Sequence, residues 1–400
     1  MKNYLSTGAA LLLTATAASA GGLDRGGNSY SVLFENGNYA ELSFSIAQPE
    51  VSGDYPAGLG GGSTGKMSED FNTFGVALKF AINDQIDLGL FLNQPFGADA
   101  SYGTGPYTGL EAEWDSNQIA IVGKYQVNPN VSVYGGLRVV KSEANISIPD
   151  TLNRGSAAQA LGDGIAQAIA AGAPPAVISD LEGQLAAVQG APAGAFGYSA
   201  TAAANSQVGY VIGAAYEKPE IALRVSLTYE SGLTHDFDTL EVFQGVTTEA
   251  TTDIKLPQSL TLDFQTGVAE DTLVFGSIRW AEWSVWDVRP PAFEAFSGGA
   301  VTSLDNDTIT YRLGVGRRIN DDLSLFARVT YEEASGGVAS RLSPTDGTTS
   351  IGIGGTYNLD GVSLRGGIEY SMLGDATDGS GVEFEENTAL GLGLSVGYSF

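Results

Sequence analysis

Lys79, Asp87, Lys124, Arg138, Arg224, Glu230, Asp263, Arg312, Arg328, Glu332, Arg365 and Glu369 each stand beside an apolar residue within a run of alternating polarity. On an extended strand, successive side chains point to opposite sides. These charges therefore share one face, and on the inner face of a closed sheet they would meet one another. Opposite charges gathered there form salt-bridge ladders that fill and brace the interior. A guanidinium left over would steer a ligand carboxylate. The ladder is the main expectation. Val122 and Val211 lie on the same face and leave room for an apolar path beside it.

Other motifs imitate chemistry without its context. Gly61-Gly62-Ser63-Thr64-Gly65 fits a nucleophile elbow, but it lies in a glycine-rich loop rather than between a strand and a helix. The chain's one histidine, His235, ends a strand, so a Ser–His lipid hydrolase is only a minor alternative. Gly60 to Lys66 approaches a phosphate-binding loop, yet Met67 stands where a hydroxyl must reach the metal. Asp375 and Asp378 have calcium-ligand chemistry, but flanking Gly and Ser favour a solvated loop. Neither a catalytic site, nor a metal, nor a cofactor is expected.

The elements that position these residues are strands. From Leu390 to Phe400, Leu390, Leu392, Leu394, Val396, Tyr398 and Phe400 alternate with Gly and Ser, giving a wholly apolar face and a nearly bare one. A terminal strand of this kind, ending on Phe, looks like the closing strand of a bacterial outer-membrane barrel. Similar segments recur from Tyr39 onward, about fourteen of them, most near the ~9–11 residues a tilted membrane strand needs. Tight polar turns such as Asn83-Asp84-Gln85, Asn128-Pro129-Asn130 and Asn320-Asp321-Asp322 alternate with long loops. Short periplasmic turns and long external loops put both termini on the periplasmic side. The expected fold is all-β, a 14-stranded antiparallel transmembrane barrel over 39–400. Residues 1–20, with Lys2, a short apolar run and Ala18-Ser19-Ala20, read as a signal peptide. No cysteine is present to form a disulfide framework, and the formal charge of −27 argues against nucleic acid.

One loop changes period. Across 148–205, Leu161, Ile165 and Ile169 recur every four residues, then Ile178, Leu181, Leu185 and Val188 follow the break at Pro174-Pro175. This predicts a helical hairpin in an extracellular loop. Its apolar stripe either packs helix on helix or lines a groove for hydrophobic ligand.

With these elements placed, the chain resembles the FadL family of outer-membrane long-chain fatty acid transport proteins. The resemblance rests on Gln48-Pro49-Glu50-Val51-Ser52-Gly53, Ile82-Asn83-Asp84-Gln85, Asn93-Gln94-Pro95-Phe96-Gly97, Leu256-Pro257, Trp280-Ala281-Glu282-Trp283-Ser284 and Tyr398-Ser399-Phe400. It implies a monomeric barrel in the Gram-negative outer membrane, bordered by lipid bilayer and lipopolysaccharide. Long-chain fatty acids or other hydrophobic molecules would diffuse through it and leave sideways. The lateral opening would map to Gln94, Pro95, Phe96 and Gly97. Pro95 supplies no N–H to a ladder, and Gly97 permits a bend. The segment 21–38 is a short N-terminal hatch lacking the family's Asn-Pro-Ala motif, with Tyr30, Val32, Leu33 and Phe34 placed to enter the lumen or cap its mouth. The alternative function is a structural or adhesion barrel with acidic surface loops.

Overall fold

The computed structural model describes residues 22–25 and 29–400, so the expected signal peptide at 1–20 lies outside the described residues. The wall consists of β1 (Tyr39–Glu50), β2 (Phe71–Asn83), β3 (Ile86–Asn93), β4 (Glu111–Asn128), β5 (Val131–Ile148), β6 (Tyr198–Lys218) and β7 (Leu223–Glu230). It continues through β8 (Ser259–Ala269), β9 (Thr272–Ala281), β10 (Thr308–Arg318), β11 (Leu323–Glu332), β12 (Thr348–Leu359), β13 (Val362–Leu373) and β14 (Thr388–Ser399). Each pairs antiparallel with the next, and β14 closes on β1 from Tyr39↔Ser399 to Glu50↔Thr388, completing 14 strands. Closure satisfies backbone groups that hydrocarbon cannot. No described helix is long and apolar enough to cross a membrane, and the strands do the crossing.

The outward face explains why these segments insert. On β14, Leu392, Leu394, Val396 and Tyr398 are exposed to lipid, while Ser395 opposite them is buried. Tyr125, Tyr216, Tyr357 and Tyr398 ring the periplasmic end; Tyr210, Tyr311, Tyr331 and Tyr370 ring the outer end. Aromatic girdles of this kind mark the two interfaces. Inside, the charge ladder forms as expected. Asp87 bridges Lys79 and Lys124 at 3.1 Å each, Arg328 meets Glu369 at 2.8 Å, and Arg365 reaches Glu41 at 2.5 Å and Glu35 at 3.2 Å.

Above the membrane the structure departs from the sequence reading. The stretch 236–251, one of the long loops in the alternation of turns and loops, belongs to a regular hairpin of Leu233–Phe243 paired with Val246–Leu256 in unbroken register. Its buried face carries Leu233, His235, Phe237, Thr239 and Glu241. Its outer face carries Asp236 and Asp238, because it meets water rather than lipid. The backbone ladder between this cap hairpin and β6 runs near the hairpin's tip, from Tyr198↔Phe243 to Ala202↔Thr239. For the same reason the loop expected over 148–205 ends early, since β6 begins at Tyr198. The helical hairpin is present as α1 (Asp150–Ala170) and α2 (Pro175–Gly190). Arg154 joins the start of α1 to the end of α2, donating to Asp150 and to the carbonyls of Val188 (2.8 Å) and Ala191 (2.9 Å). A third helix, α3 (Pro291–Ser297), lies in the next outer loop.

Candidate functional site: a plugged lumen, a broken strand and an apolar cavity

The N-terminal segment lies within the barrel. Tyr30, Val32 and Leu33 are buried in one cluster with Phe91, Val122, Tyr134 and Val211. The Tyr30 hydroxyl donates to Glu230 Oε1 at 2.8 Å. The Phe34 ring sits between the Arg224 guanidinium (4.7 Å) and Lys124 Nζ (5.1 Å). Tyr30, Val32 and Leu33 are thus buried inside the barrel, and Phe34 is half-buried beside inward-facing cations.

Sequence reasoning missed a second anchor, Leu23-Asp24-Arg25. Pairing of β2 with β3 ends at Val76↔Leu92. Beyond it the third strand turns inward and resumes as Gly97–Ser101, which pairs with β4 and not with β2. Its freed edge meets the N-terminal segment: the Arg25 N–H donates to the Pro95 carbonyl (2.9 Å) and the Gly97 N–H to the Leu23 carbonyl (2.8 Å). On the β2 side, the Phe74 N–H donates to Gln94 Oε1 at 3.1 Å. Gln94 thus supplies by side chain an acceptor that the ladder no longer offers. Phe96 is buried, edge-on to Trp283 at 5.8 Å. A Cβ on Gly97 would fall 2.3 Å from the Arg25 guanidinium, so this close approach requires glycine. Arg25 pairs with Asp99 and with Asp115 (3.3 Å), while Asp24 pairs with Arg279 at 2.7 Å. Two adjacent residues of opposite sign thereby tie the segment to opposite parts of the wall.

Beside this anchor lies a cavity of about 180 Å³ walled by Leu23, Trp114, Ile254, Trp286, Val301 and Leu342. It adjoins an outer groove of about 400 Å³, and Ile146, Val301, Thr302 and Leu342 line both. The groove is formed by Leu152, Asn153 and Ala157 of α1, Phe293 and Phe296 of α3, and Arg341. None of the seven stripe residues lines either hollow. Leu161, Ile165, Ile178, Leu181, Leu185 and Val188 are half-buried and Ile169 is exposed, on two helices packed against each other. The face of α1 toward the groove is small and polar (Asn153, Ser156, Ala157, Ala160), and such residues carry no hydropathy signal.

The decoys resolve as structure. Ser63 Oγ donates to the Gly53 carbonyl, and Asp378 accepts from the Tyr107 hydroxyl (2.6 Å) and from the Ser380 and Val382 amides. No group of acidic or histidine side chains among the described residues is arranged to hold a metal. His235 does meet a serine: Ser142 Oγ lies 3.4 Å from Nε2, and Asn205 Oδ1 lies 3.0 Å from Nδ1. The order is that of a hydrolase, but His235 and Ser142 are both buried, and Ser142 Oγ is also 3.0 Å from Ser116 Oγ. This chain of hydrogen bonds braces the cap hairpin against β5 and β6. Burial lowers the His235 pKa to about 4 from its ordinary 6.5. As pH falls, the unfolded hairpin takes up a proton before the folded one does. The stability contributed by neutral His235 is therefore complete above 6.5 and declines as pH falls toward about 4. Protection factors across 233–256, corrected for the intrinsic pH dependence of amide exchange, should fall through that window. His235→Gln should flatten the response, and an unchanged pH profile would disprove it.

With this geometry in hand, the comparisons with known proteins decide the family. Residues 40–378 match the model for "Outer membrane protein transport protein (OMPP1/FadL/TodX)". The chain belongs to this family. It is an outer-membrane barrel of the Gram-negative type. A FadL homologue from Pseudomonas aeruginosa shares the fold at a TM-score of 0.69 and 14% identity, over 97% of this chain and 98% of that one. The Pseudomonas putida toluene transporter TodX matches at 0.60 and 13% identity, over 100% and 99%. The Ralstonia pickettii toluene transporter TbuX matches at 0.60 and 12% identity, over 99% and 100%. No curated protein sequence matches the chain significantly.

Proposed function

We propose that this FadL-family barrel carries hydrophobic small molecules inward across the outer membrane by diffusion, as a monomer, with no covalent step and no cofactor. The observation that carries the reading is the succession of adjoining outer groove, apolar cavity and interruption between β2 and the third strand, with only side chains between the first two. A solute lands in the groove between α1 and α3 and passes Leu342 and Val301 into the cavity. It leaves sideways at Gln94 to Gly97, where backbone pairing has already been given up. Unpaired amides facing lipid cost several kcal/mol each, so such an interruption is tolerable where it lines a cavity. An apolar cavity of ~150 Å³ takes up a benzene ring, so this one suits a single ring or a length of alkyl chain. Both toluene and the hydrocarbon part of a long-chain fatty acid fall within that class.

Leu342 lines both hollows and is the place to test the path. Leu342→Trp should block the passage and lower uptake of a labelled apolar solute about tenfold, equivalent to ~1.4 kcal/mol at the barrier, with barrel assembly intact. Unchanged uptake would remove the groove-to-cavity route and favour the structural or adhesion reading.

A further inference from the structure

The charges around the cavity are unbalanced. Its lining includes Asp24, Glu69, Asp99 and Glu113 against a single cation, Arg25. Its charge is taken up by two carboxylates: the side chain is only 7% exposed, its two terminal nitrogens pair with Asp99 and Asp115, and its guanidinium lies 4.6 Å over the Phe71 ring, while Nε is buried without a partner among the described residues. Arg25 cannot turn to a ligand without abandoning both aspartates. Asp24 is likewise satisfied, receiving two hydrogen bonds from Arg279 (2.7 and 3.1 Å) and one from Trp283 Nε1 (3.2 Å).

We propose that this cavity selects by charge: it admits neutral hydrophobic molecules and turns back carboxylates, because its one guanidinium is already neutralised by two aspartates. An incoming carboxylate loses its hydration and finds no free cation. It also meets Asp99 across an apolar interior, where like charges repel far more strongly than in water, with Glu69 adding to the negative field from the exposed side. A neutral ester, alcohol or arene meets neither obstacle. Asp99 and Asp115 are thus specificity-determining residues, acting through Arg25. The inference rests on the reading of the cavity as the transport path.

The test uses the full barrel in nanodiscs of zwitterionic lipid at neutral pH. The probes are a brominated fatty acid and its methyl ester of equal chain length, each titrated per lipid. Trp114, Trp283 and Trp286 belong to the buried cluster at the cavity and report entry by quenching. The ester should quench at a concentration at least about tenfold below the acid. Asp99→Asn combined with Asp115→Asn releases Arg25 and should bring the acid to within about twofold of the ester. Equal quenching by acid and ester in the wild type overturns the proposal. So does an acid-to-ester ratio that the double variant leaves unchanged, which is the behaviour of a cavity that is merely apolar. Absence of quenching by either probe in the wild type would overturn the transport path itself. Should the double variant fail to assemble, exposed Glu69→Gln must narrow the gap by a smaller factor, and no narrowing again overturns the proposal.

Discussion

Gly97→Leu should detach the N-terminal segment from the barrel wall. Any Cβ at this position falls 2.3 Å from the Arg25 guanidinium, and backbone bonds hold both partners there. The side chain can be accommodated only if Arg25 moves. Moving the Arg25 side chain breaks the ion pairs with Asp99 and Asp115 and leaves the amide on the Pro95 carbonyl as the remaining tie at this residue. Breaking a buried ion pair costs about 3–5 kcal/mol, and Arg25 is the buried member of both pairs. The chain has no cysteine, so Leu23→Cys introduces a single clean reporter at a buried site. With Gly97 in place the thiol should react slowly with a membrane-impermeant maleimide. In the Gly97→Leu background it should react at least about a hundredfold faster, the factor expected from ~3 kcal/mol. Equal rates would show that the segment is held elsewhere and that kink and plug are not one unit.

The barrel itself was legible because lipid imposes one rule on every strand. Outward residues must be apolar, inward ones need not be, and the period of two exposes the difference over Leu390 to Phe400 as over Ala40 to Ile46. The ladder followed from the same alternation, since Lys79, Asp87 and Lys124 could only face inward. Proline marked what it usually marks: Pro174-Pro175 divides α1 from α2, and Pro95 ends the third strand's pairing with β2.

The site was less legible, for physical reasons that differ from residue to residue. The cap hairpin alternates as strictly as any wall strand, but with Asp236 and Asp238 outward, so a search for apolar outward faces passes over it. The anchor at Leu23-Asp24-Arg25 depends on Pro95, Asp99 and Arg279, partners that no local pattern connects to it. The helical stripe of Leu161, Ile165 and Leu181 left packing and groove open as alternatives. Its regularity suits two helices packed on each other, while the groove uses the quieter face of Asn153, Ser156 and Ala160.

Glu241→Leu should release the cap hairpin from α3. Glu241 has no exposed surface, and its carboxylate accepts from the Ala292 amide (2.9 Å), the Phe293 amide (3.0 Å) and the Tyr198 hydroxyl (2.9 Å). One carboxylate thus fixes the first turn of α3, the tip of the cap hairpin and the start of β6. Hydrogen bonds to a charged group contribute about 1.5–3 kcal/mol each, and a leucine leaves three donors without an acceptor. Water reaching the opened site offsets part of this, so the local loss should be about 4 kcal/mol, close to a thousandfold in opening equilibrium. Hydrogen exchange should rise by that order over 239–243 and 291–297 and remain unchanged in β10 to β14. Glu241→Gln keeps one acceptor oxygen and should fall between. The functional consequence follows from position: Thr239, Ile254 and Pro290 line the apolar cavity, so a loosened cap wets it and weakens its hold on apolar solute. Protection retained across 291–297 in the leucine variant would mean that the packing of Phe293 against Tyr198, with ring centroids 4.9 Å apart, holds α3 without the carboxylate.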